Sequence, residues 1–170
     1  MNVKLVKWTS ALKPELIRIC NQVDRSYLSN RLPNPYTEES ADWWLGMVSV
    51  HDGKDGIFRA VEADGKIVGN ISIEQKSDVY CKDGKIGYLL LTDFWSKGIM
   101  TEAVRQICAE AFSELDIIRI TGLVCGPNVA SQRVLEKNGF VREGIQKNAV
   151  YKNGNIYDQI LYAKLKNIEQ

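Results

Sequence analysis

Gly87-Tyr88-Leu89-Leu90-Leu91-Thr92-Asp93-Phe94-Trp95-Ser96-Lys97-Gly98-Ile99-Met100-Thr101-Glu102-Ala103 is the stretch on which the fold turns. Its first part closes an apolar run, Ile86 to Leu91, that reads as a strand. From Thr101 onward the spacing Val104, Ile107, Cys108, Ala111, Phe112, Leu115 lays one apolar stripe along a helix with charges opposite. Between them lies a short loop that delivers the chain to a helix N-terminus. Such a terminus offers unpaired backbone N–H groups and the positive end of the helix dipole, so it cradles anions. Gly98 lets a pyrophosphate approach the backbone, and Lys97 adds a local positive charge. Taken alone, an ordinary strand-to-helix connection with a convenient glycine has the same appearance.

Outward from this stretch, the elements alternate in a way that defines one architecture. Val3 to Trp8 alternates like a half-buried strand, and Pro14 suits the first turn of a helix carrying Leu16, Ile17, Cys20 and Val23. Leu32-Pro33-Asn34-Pro35-Tyr36 cannot be regular, but Thr37 can cap a helix with Glu38 and Glu39 in its first turn and Trp43, Trp44, Met47 and Val48 on its apolar face. Ile57 to Ala63 and Lys66 to Glu74 are strands joined by the hairpin turn Asp64-Gly65. A further glycine turn at Asp83-Gly84 precedes the strand Ile86 to Leu91. After the helix from Thr101 come a buried strand, Ile117 to Val124, and a helix from Val129 to about Lys137 opened by Asn128 and ended by Gly139. Two last strands, Phe140 to Tyr151 and Asn155 to Leu165, flank Asn153-Gly154. The order β-α-α-β-β-β-α-β-α-β-β predicts an α+β fold, a mixed and mostly antiparallel central sheet flanked by helices. The strands on either side of the Thr101 helix form its parallel pair, through a right-handed crossover. No linker or repeat divides the chain, so one domain over residues 1–170 is expected.

Composition narrows the function classes. With 22 basic against 21 acidic residues the net charge is +1, so no overall field draws in nucleic acid or an anionic membrane. The four cysteines, Cys20, Cys81, Cys108 and Cys125, are widely spaced and match neither a disulfide scaffold nor a zinc site. The opening residues lack an apolar run of about 7 to 15, and nothing later reaches the roughly 18 residues of a membrane span. A cytoplasmic protein without membrane or nucleic-acid partners is expected. Neither Gly-x-Gly-x-x-Gly nor Gly-x-x-x-x-Gly-Lys-Ser/Thr occurs, which disfavours those nucleotide-binding classes.

The stretch 87–103, taken with Asn128-Val129-Ala130-Ser131-Gln132-Arg133-Val134-Leu135-Glu136-Lys137-Asn138-Gly139-Phe140, resembles the GNAT superfamily of acetyltransferases. The segment Leu32 to Thr37 makes the likeness closer to its branch of ribosomal-protein N-terminal and spermidine acetyltransferases, and the resemblance extends over nearly the whole chain. The superfamily's Arg/Gln-x-x-Gly-x-Gly/Ala loop is met with Trp95 at the first position, Gly98 at the glycine and Met100 at the small residue. The resemblance implies acetyl-coenzyme A as cosubstrate, no metal, and a V-shaped opening in which the pantetheine arm lies like an extra strand between the splayed parallel pair. Leu89, Leu90 and Leu91 would bond that arm through their backbones, and Trp95, Ser96, Lys97, Gly98, Ile99, Met100 and Thr101 would hold the pyrophosphate. Asn128 would bond the pantetheine chain besides capping its helix, and Ser131 would lie near the sulfur. The implied reaction moves the acetyl group onto a primary amine, a protein N-terminus or a small amine such as a polyamine, in a monomer or homodimer.

Thioesters carry a good leaving group, so direct attack needs positioning, an oxyanion donor and a proton for the sulfur. A backbone N–H around Leu89 to Leu91 is the expected oxyanion donor, given a bulge that frees it, and Ser131 is the expected proton donor. The glutamate base of ribosomal-protein acetyltransferases falls at Val150, and the glutamate often preceding Gly-Tyr is replaced by Lys85 or Ile86. No base is assigned; Glu74 through water, or an amine arriving neutral, are the alternatives. His51 reads as a solvated loop residue and Cys125 as a small core residue, and Glu38, Glu39 and Asp42 are helix-start charges before they are a polyamine site. Trp43 and Trp44 either line the acceptor pocket or divide between core and surface. A non-catalytic coenzyme A sensor and an interaction module on the same scaffold are the competing functions.

Overall fold

The computed structural model describes residues 1–167. Seven strands form one sheet in the order β1-β2-β3-β4-β5-β7-β6: β1 Val3–Lys7, β2 Gly56–Ala63, β3 Lys66–Gln75, β4 Asp83–Leu90, β5 Arg119–Cys125, β6 Val141–Lys152 and β7 Asn155–Leu165. Helices α1 Lys13–Gln22, α2 Glu38–His51, α3 Ile99–Glu114 and α4 Val129–Lys137 cover its faces. All neighbouring strands are antiparallel except β4 and β5, which α3 connects in parallel. No helix of the described residues is long and apolar enough to cross a membrane.

Local chemistry accounts for the element ends. Asp64 and Gly65 (φ 48° and 82°) and Asn153 and Gly154 (φ 51° and 79°) both enter the left-handed region, as two-residue hairpins with a matching twist require. Thr37 and Ser40 exchange side-chain to backbone hydrogen bonds in a capping box that starts α2. One expectation fails here. Asp83 and Gly84 are not a turn but the first residues of β4, and a Cβ on Gly84 would come within 2.8 Å of Ile73 Cγ2. The glycine is there for close strand-to-side-chain packing, which a sequence reader takes for a turn. His51 likewise ends α2 rather than lying in a loop, with Nδ1 2.8 Å from Asp55.

The sheet separates two cores. Ile99, Ala103, Val104, Ile107, Cys108 and Ala111 of α3 pack with Leu135 of α4 against Val61, Ile71, Ile73, Ile86 and Ile120 on one face. Leu16, Ile19 and Cys20 of α1 and Ala41 and Val48 of α2 pack against Phe58, Ala60 and Ile67 on the other. With helices on both faces, β2 is almost continuously buried, and β3 is buried over Ile67, Val68 and Gly69.

Candidate active site

The ladder between β4 and β5 holds for three residues only, Asp83↔Arg119 to Lys85↔Thr121, after which the strands part. Thr121 Oγ1 donates to both Asp83 carboxylate oxygens at 2.9 and 2.7 Å, and Lys76 Nζ is 2.6 Å from the same carboxylate, so a polar knot holds the apex of the V. Hydrogen-bonded pairs alternate along an antiparallel ladder. Lys76 N–H donates to Asp83 O and Leu91 N–H to Val68 O, in register at both ends of β4. Residues 83, 85, 87, 89 and 91 therefore turn their backbone polar groups to β3, and Ile86, Tyr88 and Leu90 turn theirs to the cleft. The backbones of Leu89 and Leu91 thus pair with β3, while those of Tyr88 and Leu90 face away from it. This also removes the need for a bulge, since the register of β4 against β3 is unbroken and the splay itself leaves Tyr88 and Leu90 without a partner strand.

A loop, residues 91–98, joins β4 to α3. Trp95 Nε1 donates to Leu90 O at 2.9 Å, tying the loop back to the strand. Ser96 (φ 60°) and Gly98 (φ 76°) turn the chain sharply, and Gly98 becomes the residue before α3. No side chain caps α3, whereas α2 and α4 are capped by Thr37 and Asn128. The first intrahelical bond runs from Glu102 N–H to Gly98 O, so the N–H groups of Ile99, Met100 and Thr101 precede the ladder. The side chains of Ile99 and Met100 are buried in the α3 core, so Met100 does not fill the loop. Lys97 Nζ lies over the Phe94 ring at 5.4 Å, and Lys66 Nζ at 5.7 Å. Asn138 Nδ2 donates to Thr101 O and Val134 O, at 3.1 and 2.9 Å, and so joins the end of α4 to the start of α3.

Across the V, Asn128 Oδ1 accepts from Ser131 N–H at 3.3 Å, and Ser131 Oγ lies 2.7 Å from the hydroxyl of Tyr88. Burial pushes the Tyr88 phenol up to about 12, the hydrogen bond with Ser131 opposing it. A cleft of about 370 Å³ runs past Tyr88, Leu89, Val124, Cys125, Asn128 and Ser131 to Tyr27, Leu28, Ser29 and Leu32 of the α1–α2 loop. Tyr27 meets Tyr157 of β7 edge to face at 6.3 Å, and Lys152 Nζ donates to Asn30 Oδ1 at 2.7 Å, so the α1–α2 loop and the β6–β7 hairpin touch each other beside the cleft. Sequence reading passed over Tyr88 and Tyr27; the Gly-Tyr pair of β4 was the signal for the first, and nothing local marked the second.

Other residues singled out from the sequence stand elsewhere. Trp44 packs edge to face between Trp8 and Phe58, Trp43 is 73% exposed, and neither lines the cleft. Lys13 pairs with Asp42 at 2.8 Å and lies 3.9 Å from Glu38. Val150 is half-buried on β6 opposite Tyr157, and Glu74 is exposed opposite Lys85. Lys85 is the one charged residue among those lining the cleft. Cys125 lines it too, but burial raises its thiol pKa, which disfavours a thiolate nucleophile.

A family model described as "Acetyltransferase (GNAT) domain" matches the chain over residues 2–141. The chain belongs to the GNAT acetyltransferase family. Two GNAT relatives from Bacillus subtilis (strain 168) are "Putative ribosomal N-acetyltransferase YdaF", 35% identical over 66% of this chain, and "Probable N-acetyltransferase YjcK", 43% identical over 58% of it. The chain spans 61% and 54% of the length of these relatives. A solved structure of RimL, a ribosomal L7/L12 alpha-N-protein acetyltransferase in complex with coenzyme A, superposes with a TM-score of 0.85 over 98% of this chain and 95% of its own. At 22% identity that likeness speaks for the GNAT fold alone.

Proposed function

We propose that this chain transfers the acetyl group of acetyl-coenzyme A to the amine of a peptide or protein N-terminus, by direct attack on the thioester. The observation that carries the reading is the splay of β4 from β5, which leaves the backbones of Tyr88 and Leu90 without a partner strand and puts Tyr88 on the same cleft as Ser131. In this reading Tyr88 and Leu90 pair with the pantetheine arm, and the Ser96–Gly98 turn with the N–H groups of Ile99, Met100 and Thr101 holds the pyrophosphate. Trp95 braces that loop through Leu90 O. Asn128 caps α4 and contributes its remaining amide donors to the arm. A cleft-facing N–H of β4 stabilises the oxyanion, and Ser131 hydrogen-bonds the departing sulfur.

Charge supports this acceptor class. A polyamine carries several cations and needs carboxylates to replace their water, but the described residues that line the cleft include no Asp or Glu and one Lys. An N-terminal amine needs no such partners. The absence of a carboxylate there also fits an amine that arrives neutral, with no side-chain base.

A screen of peptides with varied N-terminal residues, beside spermidine and other small amines, tests this by following coenzyme A release. Acetylated peptides are expected. Turnover of polyamines instead of peptides reverses the acceptor assignment, tight coenzyme A binding without any turnover favours a sensor, and failure to bind coenzyme A favours an interaction module.

A further inference from the structure

The contact between Tyr88 and Ser131 does more than fill space. Ser131 has one hydroxyl proton, and it can serve a departing sulfur only if that proton is not already committed. Its backbone N–H is held by Asn128 Oδ1, which fixes the residue in the first turn of α4. Tyr88 reaches it from β4, across the V, with the oxygens 2.7 Å apart and the phenol also 3.4 Å from Ser131 O. A phenol is a better hydrogen-bond donor than an aliphatic alcohol, so the favoured arrangement has Tyr88 donating and Ser131 Oγ accepting.

We propose that Tyr88 is a positioning residue for Ser131: by donating to Ser131 Oγ it leaves the serine proton free to point into the cleft, toward the thioester sulfur. The inference rests on the acetyl-transfer reading. As the carbon–sulfur bond breaks and the sulfur takes the electron pair, Ser131 O–H bonds the developing thiolate, while Tyr88 keeps its own proton. The high pKa of the buried phenol suits a group that donates without ionising. Without Tyr88, the Ser131 hydroxyl is released to turn its proton to another acceptor, and that proton is no longer held toward the sulfur.

Tyr88→Phe removes one oxygen and keeps the ring in place. Expected is a fall in kcat of about tenfold with the KM for acetyl-coenzyme A unchanged, and a Tyr88→Phe, Ser131→Ala double variant no slower than Ser131→Ala alone. A second readout needs no acceptor. The thiol pKa of bound coenzyme A, followed by the ultraviolet absorbance of the thiolate, should rise in both single variants and rise no further in the double. A purely structural Tyr88 would lower Tm but leave that thiol pKa unmoved. A wild-type kcat in Tyr88→Phe, or losses that multiply in the double variant, overturns the proposal. A wild-type protein that binds coenzyme A but acetylates nothing sinks the transfer reading instead, while the thiol titration still judges the pair.

Discussion

At Ser131 a single oxygen separates a structural role from a chemical one. Its place in the first turn of α4 depends on its backbone bond to Asn128, which alanine keeps, so Ser131→Ala should leave the fold and coenzyme A affinity nearly unchanged. Turnover is expected to fall by about 10²-fold or somewhat less; kcat and a calorimetric affinity on the same sample decide the matter. Gly98 poses the converse case. A Cβ there meets nothing within 4 Å, but the backbone sits at φ 76°. Gly98→Ala should therefore cost about 1 to 2 kcal/mol through conformation and weaken acetyl-coenzyme A binding by distorting the loop, both measurable by thermal melting and calorimetry. Cys125 is neither strained nor ionised, and Cys125→Ala should lower turnover by well under tenfold in steady-state kinetics.

Among the elements, α3 and α4 are set by one side chain that belongs to neither active surface. Asn138 is 8% exposed and bonds the carbonyls of Thr101 and Val134, so it holds the uncapped start of α3 where the β4 loop delivers it. Replacing it by alanine leaves both carbonyls to other partners and should cost about 1 to 3 kcal/mol. Because the α3 N-terminus shifts with it, KM for acetyl-coenzyme A should rise while KM for the acceptor stays put, a split that steady-state kinetics resolves. The strand β4 shows how a pattern can be right and its assignment wrong. Leu89-Leu90-Leu91 was legible as the end of a strand, but which backbone groups face outward depends on the register against β3, and a one-residue difference exchanges the two sets.

Over the whole molecule, the buried guanidinium of Arg59 ties layers together. Arg59 is 3% exposed on β2; it bonds Asp52 at the end of α2 at 2.8 Å, Phe58 O at 2.7 Å, and Glu110 of α3. Arg59→Met strands two carboxylates and should cost about 3 kcal/mol or more, lowering Tm by on the order of 10 °C without changing coenzyme A affinity, since the cluster lies away from the cleft. The contacts of Tyr27 with Tyr157 and of Asn30 with Lys152 act at the same scale, joining segments 130 and 122 residues apart beside the cleft. Tyr27→Ala should raise the acceptor KM several-fold and leave that of acetyl-coenzyme A unchanged.

The amino-acid sequence by itself determined the element order, the hairpin turns at Asp64-Gly65 and Asn153-Gly154, the α3 stripe and the loop around Gly98 that leads into it, because each is a local property of spacing and backbone preference. The α4 cap at Asn128 was legible for the same reason. Tertiary structure alone decided that Gly84 packs inside a strand, that Tyr88 and Leu90 rather than Leu89 and Leu91 open to the cleft, and that Tyr88 meets Ser131. It also placed Trp44 against the core and left one lysine and no carboxylate among the described residues that line the cleft. These are relations between residues far apart in the chain, fixed by strand register and by which face of a sheet each helix covers, and no window along the sequence contains both partners.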